Sequence, residues 1–165
     1  MDCGGGDSYA PSMKILPLES DDCFAVRQAA RHISRLYERH LSDAGLTPTQ
    51  FSILCILSRE PCLTMIQLAE AMVMDRTTLV RALKPLLRDQ LVYDAPEVQG
   101  KRRLRVTISA RGRERLEVAS VHWQIAQASF ERSYGSQAAA HLRGELFRIT
   151  SDVSHLDSED GLTRR

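Results

Sequence analysis

The side chains best suited to chemistry lie in one stretch, and that chemistry is recognition of a polyanion rather than bond-making. Arg76, Thr77, Thr78, Arg81 and Lys84 are spaced so that a helix carrying Leu79, Leu83, Leu86 and Leu87 on its inner face leaves all five outward. Arginine can donate two parallel hydrogen bonds to guanine O6 and N7, threonine can donate to a base edge or touch a thymine methyl, and lysine suits a phosphate. Base readout is therefore expected from Arg76, Thr77, Thr78 and Arg81, and backbone contact from Lys84. A second cluster, Lys101, Arg102 and Arg103, follows Gly100 in a loop. A flexible loop tipped with arginine suits a narrow, electronegative minor groove, with Arg102 as the tip. For any one of these side chains, a solvated cationic face is the plain alternative.

The charge distribution points the same way. Between Asp75 and Arg115 stand eleven basic and five acidic residues, a net +6 in a chain whose total is only +1. A near-neutral sum hides a polarised molecule, and a local basic stripe is the electrostatic footprint of a nucleic-acid binder.

Other chemistries find little support. No Gly-x-Ser-x-Gly, phosphate loop, dinucleotide fingerprint or paired-carboxylate site is present, so neither an enzyme nor a cofactor is expected. Cys3, Cys23, Cys55 and Cys62 show no C-x-x-C spacing, His32 and His40 stand two helical turns apart, and His122 has no partner at i+4, so no metal is expected. No apolar run is long enough to cross a bilayer and no secretory signal is legible, which predicts a cytoplasmic protein with reduced thiols and no membrane partner.

These residues need a scaffold, and capping chemistry marks its elements. Cys23 to Ala44 repeats apolar residues every three to four positions, through Val26, Ile33, Tyr37 and Leu41, and closes at Gly45. Thr47-Pro48-Thr49-Gln50 and Thr64-Met65-Ile66-Gln67 both carry a capping box, and Asp75 caps the helix bearing the five outward residues. The middle helix is expected to turn Ile66, Leu68, Ala69 and Met72 inward. Leu104, Val106 and Ile108 alternate with Arg103, Arg105 and Thr107, which predicts a strand with one buried and one basic face. Ser109 caps a long helix closing near Gly135, and a last helix follows Ser136.

Helix, tight turn, helix and basic hairpin make a winged helix-turn-helix, whose second helix enters the major groove. The expected fold is mainly α with a small β-hairpin wing, flanked by dimerisation helices. Its parts are an N-terminal tail over 1–22, dimerisation helices over 23–46 and 109–157, a DNA-binding lobe over 47–108, and a C-terminal tail over 158–165. The long amphipathic helices carry more apolar surface than the small lobe between them can cover, so a homodimer is expected. Two-fold symmetry would then set the readers roughly 34 Å apart on double-stranded DNA.

The segments AGLTPTQFSIL, LAEAMVMDRTTLVRALKPLLRDQLV and GKRRLRVTISARG resemble the MarR (multiple antibiotic resistance regulator) family of transcription factors, over roughly Cys23 to Ile149. The resemblance implies an obligate dimer gripping a pseudo-palindromic operator. It also implies a switch: a small phenolic or anionic effector in a cleft between dimerisation helices and reader, or oxidation of a cysteine. Two departures stand out. Val73 replaces a glycine common in the turn, so that turn is expected to be reached without a left-handed residue. Gly100 replaces an aspartate that often steadies the wing arginine.

Cys23, in the first turn of the first helix, is the redox candidate, because a helix N-terminus favours the thiolate, although Asp21 and Asp22 oppose this. With Tyr37 it resembles the peroxide-sensing branch of the family, in part only, since Arg27 and Pro48 stand where further tyrosines are expected. An inert interface residue is the plainer alternative. Cys55 reads as core, and Cys62 as an exposed loop thiol without an activating neighbour. For the cleft, the available polar and aromatic groups are His32, Arg35, Tyr37, His40, His122 and Trp123, each of which could equally be a surface or packing residue. The leading expectation is a dimeric repressor-type regulator; a winged helix used only for protein contacts is the alternative.

Overall fold

The computed structural model describes residues 18–95 and 105–160, with residues 152–160 as backbone only. It divides into two compact units, residues 1–32 and 33–165. The described residues of the first are a 3-10 turn, Leu18–Ser20, and the start of helix α1, Asp22–Leu41. The Asp21 carboxylate accepts from the Phe24 backbone N–H at 3.0 Å and so closes the first turn. None of residues 18–32 is buried within the chain.

The second unit holds the core. After α1 come a 3-10 turn, Ser42–Ala44, and helices α2 (Pro48–Arg59), α3 (Met65–Met72) and α4 (Arg76–Arg88). Strands β1 (Leu63–Thr64), β2 (Val92–Ala95) and β3 (Arg105–Ile108) interleave with them, and helices α5 (Ala110–Tyr134) and α6 (Ser136–Asp160) follow. Thr47 and Thr64 each close a complete capping box, and Ser109 accepts from Gly112 N–H at 2.9 Å, as their spacing predicts. Leu41, Ile53, Leu54, Leu57, Leu68 and Leu79 are fully enclosed, so the reader helices are packed onto α2 rather than strung out in solvent.

Three helix ends close in one way. The N–H groups of Gly45 and Leu46 bond to the carbonyls of Ser42 and Leu41, those of Val73 and Met74 to Glu70 and Ala69, and those of Gln90 and Leu91 to Leu87 and Leu86. Each is a Schellman motif, with its first residue left-handed and an apolar residue next. Val73 accordingly sits at φ 50°, ψ 50°, contrary to the expectation of a turn without a left-handed residue. The paired backbone bonds hold it there despite its branched Cβ.

The sheet order is β1-β3-β2, antiparallel throughout, so the expected hairpin gains a third, two-residue strand that pairs Leu63 with Val106. Sandwiching β3 changes its burial: Thr107, expected to face solvent, is buried, and its hydroxyl lies 3.1 Å from the Cys62 thiol. Cys62 is therefore half-buried rather than an exposed loop thiol. Two apolar assignments also shift. Ile66 is 64 % exposed, because Met65, not Ile66, shares a helix face with Leu68, Ala69 and Met72. Leu87 is 39 % exposed, at the edge of the α4 stripe rather than within it.

Candidate nucleic-acid interface

Helix α4 is held by Leu79, Leu83 and Leu86, all buried, and its outward face follows from that anchoring. At about 100° per residue, the line opposite these leucines carries Thr77, Arg81, Lys84 and Arg88. All four are exposed. Arg76, Arg81 and Lys84 have no carboxylate within salt-bridge distance among the described residues. Arg76 is also exposed but lies on the flank shared with Val80 and Leu87.

Two polar contacts qualify the expected roles. The Thr78 hydroxyl donates to Asp75 Oδ2 at 2.6 Å and its backbone N–H donates to Asp75 Oδ1 at 2.9 Å. Its only side-chain proton is therefore spent on the cap, leaving a methyl and an accepting oxygen. These bonds hold the Asp75 carboxyl below its ordinary value, the Thr78 hydroxyl contributing most. Arg88 was not among the expected residues, although the spacing from Thr77 through Arg81 and Lys84 leads to it. It forms a fork with Asp89, Nε to Oδ1 at 2.8 Å and Nη2 to Oδ2 at 3.2 Å. Both groups are well exposed, so the pair is weak and open to exchange for another anion.

Beyond α4 lie the strands that root the wing. Strands β2 and β3 pair from Val92 with Ile108 to Ala95 with Arg105, which leaves Arg105 exposed at its root. Lys101, Arg102, Arg103 and Gly100 lie outside the described residues.

A cavity of about 190 Å³ opens among α1, α2 and α5, lined by aromatic walls from Tyr37, Phe51 and Trp123. Trp123 stacks on Phe51 with ring centroids 6.1 Å apart, and tilts against Tyr37 at 6.2 Å. Of the expected cleft residues, Trp123 and Tyr37 line it. Arg35 is exposed, while half-buried His122 points Nδ1 toward Asp43 Oδ2 at 3.9 Å; neither they nor half-buried His40 is in the lining. His32 is exposed in the first unit. Phe51, Ser52, Ile33 and Ser34 complete walls that the sequence reading did not gather, since they come from different elements.

Residues 46–103 match the MarR family. The solved structure of the transcriptional regulator MosR of M. tuberculosis is 31 % identical, covers 84 % of this chain and 99 % of its own, and superposes with a TM-score of 0.73. This chain belongs to the MarR family. MosR in complex with DNA is 32 % identical over 88 % of this chain and 99 % of its own, with a TM-score of 0.65. The HTH-type regulator SarZ of Staphylococcus epidermidis is 29 % identical over 108 residues, 66 % of this chain and 71 % of the relative.

As a MarR-family transcriptional regulator, the chain is a DNA-binding protein and not an enzyme. Its thiols occupy distinct settings. Cys23 is exposed in the first turn of α1, while Cys55 is half-buried and burial pushes its thiol up, against a smaller pull from Arg59. Among the described residues no cluster of metal-ligating side chains occurs, and no helix is long and apolar enough to cross a membrane.

Proposed function

We propose that this chain is a homodimeric, sequence-specific repressor that reads a pseudo-palindromic duplex with α4 in the major groove and the wing arginines in the adjacent minor groove. The observation that carries this reading is the outward line Thr77, Arg81 and Lys84, opposite three buried leucines that fix its direction. Arg81 and Thr77 then meet base edges, Lys84 a phosphate, and Arg76 and Thr78 the flanks of the same site. Lys101, Arg102 and Arg103 supply the wing contact. That MosR has been solved in complex with DNA supports the choice of DNA as the partner.

Dimerisation is assigned to residues 23–46 and 109–157, with 47–108 as the DNA-binding lobe and 1–22 and 158–165 as tails. On α5, Val118, Val121 and Ile125 form one exposed apolar stripe, and Phe147 on α6 is 69 % exposed. Covering such surface against a second copy would contribute roughly 25 cal/mol per Å². Light scattering at micromolar concentration should give the dimer mass; a stable monomer would contradict the assignment.

Release from DNA is assigned to a small phenolic or anionic molecule in the cleft, or to oxidation of Cys23. In the second route peroxide takes two electrons from the thiolate, leaving sulfenic acid and hydroxide. A Cys23→Ser chain that releases DNA under peroxide as the parent does would remove that route.

Selection of bound fragments from genomic DNA tests the whole reading. It should return paired half-sites about one helical turn apart; random recovery would refute sequence-specific reading.

A further inference from the structure

Of the cations on α4, Arg88 alone is paired with a carboxylate among the described residues. It ends the outward line from Thr77 through Arg81 and Lys84, eleven residues after Thr77 and roughly 16 Å farther along the helix axis. The major groove is about 12 Å wide, so a helix with its first turns on base edges carries Arg88 out to the sugar-phosphate rim. A guanidinium meets phosphate oxygens there with the same planar fork that it offers a carboxylate. In the free chain Asp89 fills that fork, accepting from Nε at 2.8 Å and from Nη2 at 3.2 Å.

Asp89 stands where a carboxylate is out of place. It is the C-cap of α4, its backbone N–H bonded to the Pro85 carbonyl at 2.9 Å, so its charge faces the negative end of the helix dipole. Asp75, at the other end, satisfies a backbone N–H of the helix, whereas Asp89 offers its side chain to Arg88. Cationic company keeps it ionised: the Arg88 bond first, then smaller pulls from the charges of Arg88, Arg111 and Arg115, hold its carboxyl below the ordinary value. Arg111 and Arg115 both belong to α5, and Arg115 is tied through Nη1 to the Ala44 carbonyl at 3.0 Å. Their charges stay near Asp89 when the Arg88 side chain turns away.

We propose that Arg88 is a phosphate-binding residue of the reader helix and that Asp89 is its built-in rival, so that seating on a duplex exchanges the Asp89 carboxylate for a backbone phosphate. This rests on the DNA reading above and adds a restraint to it. The exchange carries no base information, so it weakens binding to matched and unmatched duplexes alike. Its size follows from exposure: with side chains 74 % and 46 % exposed, the pair is weak, and the rivalry trims affinity rather than locking the helix.

A double-mutant cycle on the full chain separates rivalry from simple repulsion. The parent, Asp89→Asn, Arg88→Gln and the double variant are titrated in dilute buffer against one labelled duplex of arbitrary sequence, read by fluorescence anisotropy. Both positions are exposed, so the substitutions spare the core. With Arg88 present, Asp89→Asn removes the rival and also the repulsion between carboxylate and phosphates; with Gln at 88 it removes the repulsion alone. Asp89→Asn should tighten binding about threefold to tenfold in the parent, and that gain should exceed the gain in the Arg88→Gln chain by about twofold to fivefold. The excess should shrink as salt screens the fork. Equal gains in the two backgrounds, or weaker binding by Asp89→Asn, would overturn the proposal. A parent that binds no duplex would remove the DNA reading itself, whereas a parent that binds while the two gains are equal removes this inference alone.

Discussion

Asp75 grips Thr78 twice, through the backbone N–H at 2.9 Å and through the side-chain hydroxyl at 2.6 Å. The residue that starts the reader helix thus also takes a hydroxyl that the sequence alone would give to a base. Thr78→Val keeps the methyl and loses only that hydroxyl, so its operator affinity should stay within about threefold of the parent. A larger loss, confined to the matched operator, would return Thr78 to base reading.

The same cap has a pH signature. The Asp75 carboxyl is held below its ordinary 3.8, so its stabilising contribution is fully present above that value and is lost as pH falls through the lower, folded value. Asp75→Ala should lower the urea midpoint at pH 6, and the gap to the parent should close on acidification below about 3.8. An equal gap at both pH values would contradict an ionised cap.

Val73→Gly should stabilise the chain by about 1 kcal/mol. The left-handed conformation of a branched residue costs roughly 1–2 kcal/mol, the side chain is 74 % exposed, and the gain is reduced by the freer unfolded chain. Denaturant unfolding checks it; a loss of similar size would show that Val73 is not strained.

How much was legible follows from which forces act locally. Thr47, Thr64, Asp75 and Ser109 satisfy N–H groups within three residues of themselves, so their helices could be placed from sequence. Val73 and Gln90 could not be read as left-handed, because neither is glycine; the trace they left is the apolar residue that follows each, Met74 and Leu91, as Leu46 follows Gly45. Thr107 read as outward because alternation sees one strand, whereas its hydroxyl meets Cys62, 45 residues away in the chain, beside β1. For the reader face, residue types were legible but not their partners: the Thr78 hydroxyl and the Arg88 fork are bound to neighbours whose geometry only the fold supplies. The cavity was least legible, since Tyr37, Phe51 and Trp123 come from three helices.

Gly112 carries a packing demand that no periodicity reveals. A Cβ there would stand 2.0 Å from the Leu91 carbonyl oxygen and 2.8 Å from Ile108 Cγ1, so α5 must begin flush against β3 and the end of α4. Gly112→Ala should destabilise by about 3 kcal/mol, at the upper end for overpacking because backbone must move. Thermal unfolding within a degree or two of the parent would show that the contact relaxes freely.

Arg81 and Lys84 share the outward face of α4 but should fail differently. Arg81→Ala should cost roughly 1–3 kcal/mol on the operator and relax preference at one base pair, whereas Lys84→Ala should weaken matched and mismatched sites alike. Uniform losses for both would remove base reading from Arg81.

The salt dependence of duplex affinity goes to the centre of the account. On an operator-length duplex, log K should fall linearly with log salt by about 0.9 for each neutralised phosphate, and Lys84→Ala should flatten that slope by about one unit per lobe. Affinity indifferent to salt, or no affinity for any duplex in dilute buffer, would contradict a cationic helix and wing seated on a polyanion.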